Sequence, residues 1–206
     1  MSEVDRLVDE LSLFVHHPTV LEAMRAVPRE RFVESAERDR AYENSALTIG
    51  CGQTISQPLV VARMAELLEL SPADRVLDVG TGSGYHAAVL ARLAAHVWSI
   101  ERHDELSRGA ALSLAGAGVD NVTLIVGDGA LGLPAQAPFD AINVAAASAR
   151  HALDELVAQL APGGRLVAPL TGPPQRLALA RRCADGALDW TLFEEVRFVP
   201  LVSGVG

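Results

Sequence analysis

Apolar positions near the start of the chain recur at helical spacing. Val4, Leu7, Val8 and Leu11 form one stripe, and "PTVLEAMRAVP" and "RERFVESA" carry the rhythm on towards residue 40. The spacing predicts helices over most of residues 3–40. A polar stretch, "LTIGCGQTISQP" (47–58), then breaks the pattern with glycines, hydroxyls, amides and a thiol, and reads as a loop. The rhythm resumes in "PLVVARMAELLEL" (58–70), a helix that Pro58 can open and that Ser71 and Pro72 end.

Beyond residue 75 the pattern changes to short, almost wholly apolar runs separated by helical ones. "RVLDVG", "HVWSI", "NVTLIVG", "FDAINVA" and "GRLVAPL" read as strands. "YHAAVLARLA", "DELSRGAALSLAGAG" and "HALDELVAQLA" read as helices among them. Strands without polar alternation are buried on both faces, so this order implies a parallel sheet covered by helices. The Pro-Gly-Gly of "LAPGGRLVAPL" reads as a turn before the fifth strand. After residue 175 the helices stop, and "QRLALARRC" and "LDWTLFEEVRFVPLV" predict an antiparallel pair around the turn "ADGA". The expected organisation is a helical segment over 1–70 carrying the 47–58 loop, then an α/β domain over 71–206.

Composition narrows this picture. A length of 206 residues suits one domain with a buried core, and a hydrophobic fraction of 50% argues against disorder. With 17 basic and 26 acidic residues the net charge is −9, a field that repels phosphate backbones. The densest charge run, "RERFVESAERDR" (29–40), mixes signs and reads as a solvated face, so no nucleic-acid partner is expected. No apolar run reaches the roughly 18 residues of a membrane helix, and "MSEVDRLVDE" lacks the order of a signal peptide. Cys51 and Cys183 fit neither a disulfide framework nor a zinc spacing. A cytoplasmic protein without a metal is the expectation.

Candidate chemistry gathers at the strand ends. "VLDVGTGSGY" sets Gly80, Gly82 and Gly84 between the first strand and its helix, where backbone can approach a ligand at the carboxyl edge of a sheet. A dinucleotide fingerprint needs a glycine five residues after the first, and Tyr85 holds that place. The spacing suits a ligand without a diphosphate, of which S-adenosylmethionine (AdoMet) is the common one. Three glycines that merely close a tight connection are the plainer alternative. Glu101 ends the second strand in "WSIER" and can accept both ribose hydroxyls; alone, it would read as a solvated helix-start charge. Asp128 in "GDGALG" ends the third strand, where it can take an adenine amino group or bond nearby backbone as a turn residue. The histidines show no ligand spacing. His86, beside the glycine turn, reads as a packing or substrate-lining residue.

The segments "VPRERFV", "AYENSALTIGCGQTISQP", "VLDVGTGSGY", "SIER", "VGDG", "APFDAINVAAA", "LAPGGRLVAPL" and "VRFVPLV" span nearly the whole chain. Together they closely resemble the protein-L-isoaspartate O-methyltransferase family, within the AdoMet-dependent methyltransferases. The glycine motif points only to the superfamily, whereas "GQTISQP" ahead of it and the closing "FVPLV" are far more specific. The resemblance implies a Rossmann-like, doubly wound, seven-stranded, mostly parallel sheet with one reversed strand, behind a helical N-terminal segment. It implies methyl transfer from AdoMet to the α-carboxylate of L-isoaspartyl residues in damaged proteins or peptides. The ester then collapses to a succinimide, and S-adenosylhomocysteine is the other product.

On the donor side the resemblance implies Asp78, Gly80, Thr81, Gly82, Ser83, Gly84 and Tyr85 around the glycine turn. It adds Glu101 and Arg102 after the second strand, and Gly127, Asp128 and Gly129 after the third. On the acceptor side it implies Thr54, Ile55, Ser56 and Gln57, with Val199, Pro200 and Leu201 receiving the substrate main chain. Ser56 is the hydroxyl it places at the reacting carboxylate, and the one residue given a catalytic role. By position alone Ser56, two residues before a proline, reads as a helix-entry cap, and one helix end can serve both purposes. A monomer acting on isoaspartyl proteins, with no membrane attachment, completes the expectation.

Three segments depart from the family pattern. Ser148 in "AAASARH" stands where a proline is usual, "PLTGPPQ" replaces a shorter "PVG" turn, and Cys51 stands where an aromatic or histidine is common. All lie near strand ends and bear on substrate identity more than on cofactor identity. Two other readings therefore stand beside repair. One is a methyltransferase acting on an aspartate of a precursor peptide in natural-product maturation; the other is an AdoMet-binding protein without catalysis. Tyr85 puts a dinucleotide oxidoreductase last.

Overall fold

The computed structural model describes residues 1–206. Helix α1 (Glu3–Leu11) starts at a capping box: the Ser2 hydroxyl accepts the Asp5 N–H, and the Asp5 carboxylate accepts the Ser2 N–H. Its Leu7, Val8 and Leu11 stripe is buried, as the periodicity predicts. Helix α2 (Pro18–Ala26) opens on Pro18, whose missing N–H costs nothing in a first turn.

The helix expected over "RERFVESA" is instead two 3-10 turns, Arg29–Arg31 and Ser35–Arg40. Arg29 explains the difference. Its side chain is fully buried, with Nε donating to the Ala41 carbonyl at 2.8 Å and Nη2 to the Ser45 carbonyl at 3.2 Å. The guanidinium also lies 4.9 Å over the Tyr85 ring. These long-range bonds fold residues 41–45 back over the arginine, and they outweigh the local rhythm.

The polar 47–58 stretch is a small hairpin rather than a loop. Strands β1 (Leu47–Thr48) and β2 (Thr54–Ile55) pair antiparallel, with Leu47 opposite Ile55. Cys51 (φ 57°) and Gly52 (φ 67°) form the turn, both left-handed as a type I′ turn demands. Gln53 N–H closes it on the Gly50 carbonyl at 3.1 Å. Helix α3 (Pro58–Leu67) follows.

Seven strands make the main sheet: β3 (Arg75–Val79), β4 (His96–Glu101), β5 (Val122–Val126), β6 (Phe139–Val144), β7 (Leu160–Leu170), β8 (Arg176–Arg182) and β9 (Leu188–Glu195). Their order is β5-β4-β3-β6-β7-β8-β9. The first five are parallel, and β8 alone is reversed, antiparallel to both neighbours. Helices α4 (Tyr85–Ala91) and α5 (Asp104–Gly116) join β3 to β4 and β4 to β5. The winding reverses between β3 and β6, which opens a crevice at their carboxyl ends, the usual ligand position in such sheets.

Two further expectations need correction. "HALDELVAQLA" holds only a 3-10 turn, Arg150–Leu153, and the single-turn helix α6 (Asp154–Val157). Gln159 ends it early: its amide donates to the Leu131 and Glu155 carbonyls and accepts the Leu133 N–H. The Pro-Gly-Gly segment lies inside β7, because Phe139 pairs with Leu160 while Ala141 pairs with Arg165. The intervening residues bulge out of the ladder.

Alternation along β3 divides the core. Val76 joins Leu7, Met24, Met64 and Leu90, so the N-terminal helices pack on the same sheet face as α4. Leu77 joins Ile142, Leu153, Leu156 and Leu166 on the other face. No helix is long and apolar enough to cross a membrane.

Candidate active site

The carboxyl end of β3 opens into a solvent-open cleft. Gly82 (φ 54°) presents bare backbone there, and a Cβ on it would come within 3.4 Å of Ile49 Cδ1 from the hairpin. Gly84 has a different purpose. Its φ is 87° and a Cβ would lie 3.1 Å from the Ala110 Cβ, so its bareness lets α4 pack against α5.

Glu101 locks the turn from β4. Its Oε2 accepts the Gly82 N–H at 2.9 Å and its Oε1 accepts the His103 N–H at 3.0 Å. A carboxylate has about four acceptor positions, so free lone pairs remain for hydroxyl donors.

Most of the expected residues meet at this cleft. Gly80, Thr81, Gly82, Ser83 and Tyr85 line it from the glycine turn, with Glu101, Arg102 and Gly129 from the neighbouring strand ends. Thr54, Ile55 and Ser56 line it from the hairpin, and Val199, Pro200 and Leu201 from the segment after β9. The latter is held over the end of β6: Ala147 N–H donates to the Val199 carbonyl and Leu201 N–H to the Ala147 carbonyl, each at 2.8 Å. Gln53, His86 and Val202 also contribute.

Five expected residues stand apart from the lining. Gly84 is the packing glycine already described, and Gly127 lies beside Ile100, whose Cδ1 is 3.2 Å from its would-be Cβ. Gln57 lines an adjoining groove with Gln175, Arg197 and Phe198. Asp128 bonds backbone, as its turn reading predicts: Oδ1 accepts the Ala130 N–H at 2.9 Å, and Oδ2 accepts the Gly204 N–H at 2.7 Å. Asp78 is fully buried behind the turn, where Ser99 Oγ and Asn143 Nδ2 each donate to it at 2.7 Å. Burial pushes its carboxyl up to about 6, against the pull of those two bonds.

The cap reading of Ser56 does not hold. Gln57 occupies the N-cap of α3 and no side chain caps that end. The Ser56 hydroxyl makes no hydrogen bond within the chain, and Ser56 borders both the cleft and the groove beside it.

Asn143 went unnoticed in the sequence, although an amide inside the apolar strand "FDAINVA" was a signal. Its Nδ2 donates to Asp78, and lies 3.2 Å from His86 Nδ1. His86 Nδ1 is then an acceptor, which assigns the proton to Nε2. Burial lowers the His86 pKa to about 3, so the ring is neutral at pH 7. Nε2 has no partner within the chain.

Strand order, bare glycine turn and acidic β4 terminus together define the Rossmann-like fold of the AdoMet-dependent methyltransferases. The chain matches the protein-L-isoaspartate(D-aspartate) O-methyltransferase family over residues 2–206, and it belongs to that family. It is 50% identical over 194 residues to protein-L-isoaspartate O-methyltransferase 2 of Pelobacter propionicus, covering 93% of this chain and 86% of that one. It is 50% identical over 204 residues to the protein-L-isoaspartate O-methyltransferase of Xanthomonas euvesicatoria, covering 98% and 89%.

Among solved structures, a protein-L-isoaspartate O-methyltransferase superposes with a TM-score of 0.88 at 28% identity, covering 98% of this chain and 67% of that chain. A Plasmodium falciparum structure in complex with S-adenosyl-L-homocysteine shares the fold, with a TM-score of 0.82 at 23% identity over 98% and 99% of the chains. The cofactor of the family is AdoMet, and the residues present suit it: a bare glycine backbone, and a carboxylate at the β4 end with lone pairs to spare. No group of three or more His, Cys, Asp or Glu side chains is placed to hold a metal ion.

Proposed function

We propose that this protein methylates the α-carboxyl group of L-isoaspartyl residues in damaged proteins or peptides, and so starts their return to aspartate through a succinimide. One observation carries the reading: an unpartnered Ser56 hydroxyl from the hairpin borders the same cleft as the glycine turn. AdoMet, when bound, supplies an electrophilic methyl group and its own leaving group. The acceptor carboxylate is ionised at pH 7 and is itself the nucleophile, so the protein needs no general base.

What remains for the chain is placement. Ser56 donates to one carboxylate oxygen and leaves the other free to attack. A neutral donor orients the anion without quenching it, as a lysine or arginine would. Fixing the two reacting groups in line is worth roughly 7–11 kcal/mol. Gly80, Thr81, Gly82 and Ser83 hold the donor by backbone and hydroxyl contacts, and Glu101 takes its ribose hydroxyls. Thr54, Ile55 and Gln57 shape the acceptor side, and Val199, Pro200 and Leu201 meet the substrate main chain. Residues 1–70 therefore chiefly select the acceptor, and residues 71–206 chiefly bind the donor. The reading extends to a monomer in the cytoplasm that binds no nucleic acid. Two exposed thiols left unpaired support the compartment, and a net charge of −9 supports the absence of a nucleic-acid partner.

The test is incubation with methyl-labelled AdoMet and matched peptides containing isoaspartyl or aspartyl residues, counting base-labile methyl ester. Label on the isoaspartyl peptides alone is expected. Label that requires one particular aspartyl sequence would identify a precursor-peptide enzyme instead, and bound AdoMet with no label at all would remove catalysis from the reading.

A further inference from the structure

Beyond Glu195 the last strand loses its neighbour, yet the chain stays fastened as far as Leu201. Pro173 and Pro174 stop β8 from being extended backwards, since neither has an N–H to give a ladder. Val196 N–H still reaches the Gln175 carbonyl at 3.1 Å. Two residues later the Gln175 side chain takes over. Phe198 N–H donates to Gln175 Oε1 at 2.8 Å, and Gln175 Nε2 donates to the Phe198 carbonyl at 3.3 Å. A side-chain amide carries the same donor and acceptor as a peptide unit, so Gln175 replaces the missing strand partner at Phe198.

With Val196, Phe198 and Leu201 engaged, the N–H groups of Arg197 and Val199 make no hydrogen bond within the chain. Arg197 and Val199 line the groove that adjoins the cleft, and Thr54 and Ser56 line it too. We propose that Gln175 is a positioning residue for the acceptor: its amide holds the main chain at Phe198, leaving the Arg197 and Val199 N–H groups for the peptide that flanks the isoaspartyl residue. The inference rests on the proposed function and names a determinant of how that site binds its substrate.

The experiment uses the full chain and compares wild type with Gln175→Met, which keeps length and bulk without the amide, and Gln175→Ala. Methylation kinetics are measured on an isoaspartyl hexapeptide and on a minimal isoaspartyl substrate without flanking residues, with AdoMet affinity determined separately. Both variants should raise KM for the hexapeptide about tenfold, the scale of two net hydrogen bonds, and leave kcat and AdoMet Kd within about twofold. KM for the minimal substrate should stay within about twofold of wild type, because it does not reach the held segment. An unmoved hexapeptide KM in Gln175→Met overturns the proposal, as does an equal rise for both substrates or a parallel loss of AdoMet affinity. Wild-type protein that methylates no isoaspartyl peptide sinks the underlying reading and the positioning role with it.

Discussion

Asn143 Nδ2 lies 2.7 Å from Asp78 Oδ1, so an amide on β6 donates directly to the buried carboxylate beneath the glycine turn. The same amide meets His86 Nδ1. Replacing it with an apolar side chain leaves Asp78 with Ser99 alone and leaves His86 Nδ1 without a donor. Asn143→Leu should therefore destabilise the fold by about 1–3 kcal/mol, the cost of stranding buried polar groups. Urea unfolding at pH 7 measures it, and an unchanged midpoint would show that the network contributes nothing.

His86 gives the stability a signature in pH. Its folded pKa of about 3 lies below the ordinary histidine value of 6.5, so the unfolded chain takes the proton first as pH falls. Its contribution is present above pH 6.5 and is lost as pH drops towards 3. Asp78, raised to about 6, works the other way, since stability falls as pH rises from 3.8 to 6. In His86→Gln only the Asp78 contribution remains. The stability difference between wild type and His86→Gln should grow by about 2 kcal/mol from pH 5 to pH 7. Equal pH slopes in denaturant titrations of the two proteins would contradict it.

Ser56 is where the proposed acceptor role can be tested apart from donor binding. Because its hydroxyl caps no helix and bonds nothing in the chain, removing it should not loosen the fold. Ser56→Ala should lower kcat/KM on an isoaspartyl peptide roughly ten- to a hundredfold, the worth of one hydrogen bond to an anion, with AdoMet Kd within about twofold. Calorimetric titration with AdoMet alongside the kinetics checks the separation, and a collapse of both would make Ser56 structural.

Cys51 is a conformational cost. It holds φ 57° at the first position of the hairpin turn, a region where most side chains are strained. Cys51→Asn creates Asn-Gly, the pair such a turn favours, and should stabilise the protein by about 1 kcal/mol with activity retained. Thermal unfolding and the methylation assay together decide this.

The parallel sheet and the glycine turn were legible because each rests on local periodicity or a short spacing. Val76 and Leu77 alternate between two buried faces, which is why "RVLDV" reads as an unbroken apolar run. The missed features depend on distant partners. Arg29 looked like part of a solvated helix face, and only the carbonyls of Ala41 and Ser45 with the Tyr85 ring turn it inward. Gln159 ends a helix through Leu131 and Leu133, and Gln175 acts through Phe198, at separations that no window on the sequence spans. Asp78 is subtler: a polar residue at a strand end near a ligand turn reads as a contact, and the structure buries it beneath the turn, outside the cleft lining.

On the proposed function, the acceptor side of the cleft, from Gln53 to Ser56 with Val61, neutral His86 and Val199 to Val202, carries no fixed charge, and Glu101 and Arg102 sit on the donor side. On that reading, methyl transfer turns a sulfonium cation and a carboxylate anion into a neutral thioether and a neutral ester. Walls without charge solvate ions poorly and neutral molecules well, so they hold the ionic pair less firmly than water does and resist the products far less. On the proposed function, the hairpin and the final segment thus make a compartment in which charge annihilation runs downhill, and the newly made ester keeps no electrostatic claim on the protein that formed it.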